Sequence, residues 1–147
     1  MATNLNVFVR EKINEMDTQE TVFEYSTDYT IKHYSKRQLY VTGSYSTTLA
    51  TFGTQSNGDY ETIVYGRISN IGKGSEGYPI DVKLVNVDDD LAIFTLQQGE
   101  HLMLPNEYFS NEEGSTESLK RIEAKVALGS SRKIKVEYFL ASQSEDI

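Results

Sequence analysis

Asp81-Val82-Lys83-Leu84-Val85 and Arg132-Lys133-Ile134-Lys135-Val136-Glu137-Tyr138 exchange polar and apolar residues at every second position. That period belongs to a strand with one face in a core and the other in water. The same texture runs through Ile63–Ser69, Pro79–Asn86, Leu91–Gln97 and Glu100–Leu104, and again through Leu119–Val126 and Lys133–Ala141. Turn chemistry separates these segments: Asp88-Asp89-Asp90, Gln97-Gln98-Gly99 and Pro105-Asn106 are short polar breaks, and Asn70–Tyr78 is a glycine-rich loop. Strands this short and this regularly spaced predict an all-β fold, an antiparallel β-sandwich of jelly-roll-like form with about nine to eleven strands.

Upstream the β pattern continues from Glu20. Thr21–Tyr25, Tyr29–Tyr34 and Gln38–Thr42 are rich in β-branched and aromatic residues and read as three strands, with breaks at Ser26-Thr27-Asp28 and Ser35-Lys36-Arg37. Asn57-Gly58 supplies the positive φ values of a tight hairpin turn between Leu49–Phe52 and Tyr60–Ser69. Asn106–Ser118 is the longest polar segment and reads as an exposed loop at one end of the sandwich. Residues 1–19 differ. Leu5, Phe8, Val9, Ile13 and Met16 fall at helical spacing, yet Asn6–Val9 also reads as a strand, and periodicity does not decide so short a piece. The expected organisation is an N-terminal arm, residues 1–19, followed by a β-sandwich domain, residues 20–147.

A chain of 147 residues fits one domain that buries roughly 70% of the surface its unfolded form would expose. It contains no cysteine, which excludes a disulfide framework and thiolate metal sites and suits synthesis in a reducing cytoplasm. Neither a signal peptide nor a membrane-spanning segment is expected, because charged residues at Arg10, Glu11 and Lys12 precede any apolar run of signal-peptide length, and nowhere do about eighteen apolar residues stand together. The net charge of −8 argues against nucleic-acid binding, which draws its affinity from Lys and Arg on phosphate.

Charge is also unevenly distributed. Val85–Ser118 has no Lys or Arg but holds Asp88, Asp89, Asp90, Glu100, Glu107, Glu112, Glu113 and Glu117. Leu119–Lys135 reverses the sign, with Lys120, Arg121, Lys125, Arg132, Lys133 and Lys135 against Glu123. Such blocks either pair across strands within the chain or give a bipolar subunit whose acidic face meets the basic face of a neighbour. On the last strand Phe139 is the one large apolar side chain among Lys133, Lys135 and Glu137, and is a candidate contact residue.

No motif spells out catalysis. A histidine-assisted nucleophile would have to use His33 or His101, both at strand positions, and no Gly-x-Ser-x-Gly elbow exists. In Gly72-Lys73-Gly74-Ser75-Glu76-Gly77 the Lys does not precede Ser or Thr and no helix pattern follows, so a flexible connection is expected rather than a phosphate loop. Asp88-Asp89-Asp90 lacks the alternating spacing of a calcium loop. Ten Tyr and six Phe could stack on sugars, but at alternating strand positions aromatics more often pack across strands. No catalytic residue, metal or cofactor is expected.

Five segments carry a resemblance: Ile68–Gly72, Tyr78–Asn86, Phe94–Pro105 with its Gly99-Glu100 turn, Arg121–Lys125 and Val136–Ala141. In texture, over roughly residues 60–141, they resemble the small β-sandwich structural proteins of tailed bacteriophage virions. The resemblance implies a non-enzymatic virion component made in the host cytoplasm, first of all an auxiliary or decoration protein on the capsid. A tail or neck adaptor, or a host-surface glycan-binding module, is the alternative. The implied partners are other virion proteins, capsid or tail subunits, or further copies in a homo-oligomer or lattice. The residues expected at such contacts are Leu5, Phe8, Ile13 and Met16 of the arm, Asp88, Asp89, Asp90, Glu112, Glu113, Lys120, Arg121 and Lys133 of the charge blocks, and Phe139. A glycan binder would instead cluster exposed Tyr60, Tyr65, Tyr78 or Tyr108 at one loop end.

Overall fold

The computed structural model describes residues 3–15, 18–43, 47–52, 63–74, 77–104, 119–129 and 131–142. Their strands are β1 (Thr3–Glu15), β2 (Thr18–Ile31), β3 (His33–Val41), β4 (Thr47–Thr51), β5 (Ile63–Asn70), β6 (Ile80–Asn86), β7 (Leu91–Leu96), β8 (His101–Leu104), β9 (Leu119–Val126) and β10 (Ile134–Ser142). Strands β3 to β10 form two four-stranded sheets, in the orders β3-β10-β5-β8 and β4-β9-β6-β7. All their pairings are antiparallel. The chain is thus an all-β antiparallel sandwich, as the alternation predicts.

The pairing is nested. β3 joins β10, β4 joins β9, β5 joins β8 and β6 joins β7, so the chain from β3 onward pairs its two halves from the ends inward. The β10–β5 and β9–β6 pairings then close each sheet.

The alternating residues sort as their period requires. In β10, Ile134, Val136, Tyr138 and Leu140 are buried while Lys135, Glu137 and Phe139 are half-buried on the other face. The buried set meets Ile68 of β5, Ile80, Val82 and Leu84 of β6 and Ile122 of β9 in one apolar layer between the sheets. Each such side chain contributes about 1.5–3 kcal/mol when taken from water. Packing is tight enough at Gly66 that a Cβ there would stand 2.9 Å from Leu140 Cδ2 and 3.1 Å from Leu104 Cβ.

Two buried asparagines organise the turns. Asn70 closes β5; its Nδ2 donates to the carbonyls of Tyr78 (2.9 Å) and Leu96 (3.0 Å), and its Oδ1 accepts from Gly72 N (3.1 Å). Asn86 closes β6, and its Oδ1 accepts from the amides of Asp88 and Asp90 at 3.0 and 2.9 Å. That Asx arrangement holds Asp89 at φ 64°, a left-handed conformation that Asp tolerates better than most residues. The Gly99-Glu100 turn has Gly99 at φ 83°, while the Glu100 carboxylate accepts from Gln97 N at 2.8 Å.

The N-terminal region differs from the expected boundaries. β1 and β2 form a separate two-stranded ribbon in register from Thr3↔Ile31 to Glu15↔Thr18, so the arm runs to Ile31 and not to residue 19, and its helical spacing is incidental. Ser26-Thr27-Asp28 is no break, because the Asn6 amide binds both Ser26 Oγ (2.9 Å) and Asp28 Oδ1 (2.8 Å) across the ribbon. Ser35-Lys36-Arg37 likewise lies inside β3. The Asn57-Gly58 turn and the Asn106–Ser118 loop lie outside the described residues.

Candidate functional site

The ribbon has two faces of different character. Register and alternation put Leu5, Val7, Val9, Glu11, Ile13 and Glu15 of β1 on one face with Tyr25, Phe23 and, beyond the irregularity at Glu11/Lys12, Glu20 of β2. Tyr29 and Ile31 continue that face toward the sandwich. The opposite face carries Asn4, Asn6, Phe8, Arg10 and Lys12, where Arg10 pairs with Glu24 at 3.5 Å and lies over the Phe8 ring at 5.1 Å.

Only the base of the first face is covered. Ile31 is buried with Val64 and Ala141, and Leu5, Tyr29, Tyr65 and Phe139 pack around them. This small second core lies on the outer side of the β3-β10-β5-β8 sheet. Aromatic rings extend it sideways: Tyr65 lies 6.0 Å from Tyr29 and 6.1 Å from Phe139, and Phe139 lies 6.1 Å from Tyr34. Burial raises the Tyr65 hydroxyl above its ordinary pKa, the main effect, with Arg67 acting against it. From Arg10 to Glu15 and from Thr18 to Ser26 every described residue is exposed. Phe23 and Tyr25, stacked at 6.3 Å, are therefore large aromatic groups left about half exposed, at 46% and 52%.

The outer face of the same sheet continues past the aromatic rings into a polar rung. Glu137 accepts from Gln38 Nε2 at 2.9 Å and from Arg67 Nη2 at 2.7 Å. Beside it, Ser69 Oγ and His101 Nδ1 are 2.7 Å apart. That pair is a cross-strand contact, and Ser69 is only 2% exposed, so its hydroxyl is closed to a substrate. Below the rung a shallow depression of about 530 Å³ is lined by Tyr40, Ile71, Lys73 and Lys135 together with Gln38 and Glu137. Tyr40 lies 5.9 Å from the Lys135 ammonium. Among the described residues no group of three or more acids and histidines is placed to hold a metal.

The expected contact residues separate into distinct places. Leu5 is half-buried in the ribbon base, Phe8 is exposed on the polar face, Ile13 is exposed near the tip, and Met16 lies outside the described residues. Asp88, Asp89 and Asp90 form the β6–β7 turn, and Asp89 accepts from Lys120 of the same chain at 2.9 Å. That bond is the main cause holding the Asp89 carboxyl below its ordinary pKa. Arg121 and Lys83 both reach Glu123, at 3.3 and 2.8 Å, and the close Lys83 ammonium chiefly lowers its pKa. Lys120 and Arg121 are therefore engaged within the chain, the internal pairing that the charge blocks allow. Lys133 is exposed, and Glu112 and Glu113 lie outside the described residues.

Phe139 stands on the polar side of β10 as expected and is half-buried there, with Tyr34, Tyr65 and the ribbon base packed around its ring. Of the tyrosines that a glycan site would use, Tyr65 is in this aromatic group and Tyr78 lies under Arg132 at 4.8 Å; Tyr60 and Tyr108 lie outside the described residues. Sequence reasoning did not single out Phe23, Tyr25, Tyr34 or Tyr40. Their signal was a large aromatic facing outward in a strand, visible only once register is known. No family model, curated protein or solved structure matches this chain.

Proposed function

We propose that the chain is a non-enzymatic structural subunit of a bacteriophage particle, an auxiliary protein bound to the capsid. The observation that carries this reading is the long ribbon, whose outer half presents stacked aromatic side chains to solvent. A two-stranded ribbon is marginally stable alone, and an exposed apolar stripe on such an element marks a contact surface. The antiparallel sandwich with its nested strand pairing and the phage-like texture of residues 60–141 support the same role.

The test is sedimentation of the purified chain with assembled shells of the phage that encodes it. Co-pelleting in fixed proportion to the shell protein is the expected result. A chain that stays in the supernatant with shells but pellets with tails overturns the capsid assignment in favour of a tail or neck adaptor.

A further inference from the structure

The geometry points to a second copy of this chain as the partner of the ribbon tip, which lies on the outer face of the neighbour's β3-β10-β5-β8 sheet, at the Tyr34–Tyr40 edge. The inference rests on the structural-subunit reading, and names the first neighbour such a subunit would meet.

Two observations argue for it. The first is continuity. Leu5, Tyr29 and Ile31 already sit on the outer face of their own sheet, against Tyr65 and Phe139. The same ribbon face continues through the half-buried Val9 to Tyr25, Phe23 and Ile13, for roughly 20 Å more at about 3.3 Å per residue, and these last three are exposed. Its apolar and aromatic residues match in kind those that the ribbon base sets against the outer sheet face.

The second is charge. The tip face carries Glu11, Glu15 and Glu20 and no cation. The exposed part of the sheet face carries Lys36, Lys73 and Lys135 beside Tyr34 and Tyr40, which are 66% and 50% exposed. Among the described residues none of these three acids and none of these three cations has a partner of opposite charge. Acid and aromatic on one surface thus meet cation and aromatic on the other, the complementarity that fixes orientation between subunits. A tip on one copy and a face on the next is a head-to-tail contact, which closes into a ring or extends as an open chain.

The absence of native cysteine makes the contact directly testable. The full chain would be prepared separately as Phe23→Cys, Lys36→Cys and, on the other sheet, Thr95→Cys, with melting temperatures checked against the parent. Under mild oxidation, mixed Phe23→Cys and Lys36→Cys should crosslink about tenfold or more faster than mixed Phe23→Cys and Thr95→Cys, tenfold being the scale of one close charge pair. Sedimentation of the unsubstituted chain, without shells, should show oligomers that Glu11→Lys with Glu20→Lys dissociates and that added Lys36→Glu with Lys135→Glu restores. A chain that is monomeric at every concentration, or crosslinks without preference, overturns the inference. If that monomer still binds shells and loses them on Phe23→Ser, the tip belongs to a different virion protein and only the self-docking fails. Oligomers that never bind shells leave the self-docking intact and sink the capsid reading.

Discussion

Tyr65 of β5 and Phe139 of β10 lie with ring centroids 6.1 Å apart on the outer side of the sandwich, and on them rests the base of the ribbon formed by β1 and β2. This contact joins the two parts of the molecule. Phe139→Ser should lower stability by about 2 kcal/mol, less than the loss of a fully buried Phe, and should loosen the ribbon base. Thermal melting and amide exchange in Thr3–Leu5 and Tyr29–Ile31 check it; unchanged exchange there would show that the rings do not hold the ribbon.

The strand faces of β10 predict opposite outcomes at adjacent positions. Val136 is fully buried between the sheets whereas Lys135 looks outward. Val136→Asp places an unpaired carboxylate in the core and should cost at least about 4 kcal/mol. Lys135→Asp should leave the melting temperature nearly unchanged. Equal effects would mean that β10 is covered on both sides.

Asn70 should be the most sensitive polar residue of the sandwich. Its side chain serves the Tyr78 and Leu96 carbonyls and the Gly72 amide, and it is fully buried. Asn70→Ala leaves all three groups without that partner, at about 3 kcal/mol in total. Asn70→Asp should be no better, since it removes both donors and adds a charge. Denaturant midpoints measure both; a loss well under 1 kcal/mol would mean that water takes over these bonds.

The sandwich was legible because period-2 alternation is a local consequence of burying one strand face, and it survives in β6, β9 and β10 without knowledge of partners. The ribbon was not legible, and the reason is visible in its residues. In β1 the apolar Leu5, Val7 and Val9 alternate correctly, but Phe8 and Ile13 add a false helical spacing. In β2 the polar Ser26, Thr27 and Asp28 imitate a turn, though the Asn6 amide satisfies two of them across the strands. Charge blocks were equally ambiguous in one dimension. Asp89 and Lys120 are 31 residues apart in sequence, and only strand order brings them together. The aromatic tip residues acquire meaning only when the ribbon is known to leave the sandwich, which no local pattern encodes.

Acid should weaken the fold through Glu123. Its folded pKa is lowered, chiefly by the Lys83 ammonium 2.8 Å away, below the 4.5 of an ordinary glutamate. A depressed folded value means that the ion pairs stabilise the native state above the unfolded pKa, and that this contribution fades as pH falls through the folded one. Glu123→Gln should therefore reduce stability at neutral pH and flatten the fall below about pH 4.5. Melting curves from neutral pH into that range compare the two; parallel curves would show that Glu123 does not carry the acid limb.

Truncation separates the ribbon from the expected arm boundary. Removing residues 1–31 deletes both strands of the ribbon, whereas removing residues 1–19 deletes β1 but leaves nearly all of β2 (Thr18–Ile31) without its pairing partner. The residual strand would expose a row of free backbone groups beside Val22, Phe23 and Tyr25, a template for aggregation. Among the described residues the longer deletion uncovers the small cluster around Tyr65 and Phe139, and the main core between the sheets contains none before Val41 except the half-buried Leu39 packed against it. The chain starting at residue 32 should thus remain soluble and melt cooperatively, while the chain starting at residue 20 should aggregate. Circular dichroism and light scattering on the two purified truncations decide it. A soluble, cooperative chain from residue 20 would mean that β2 finds another partner once β1 is gone, and a chain from residue 32 that fails to fold would make the ribbon an obligatory part of the sandwich.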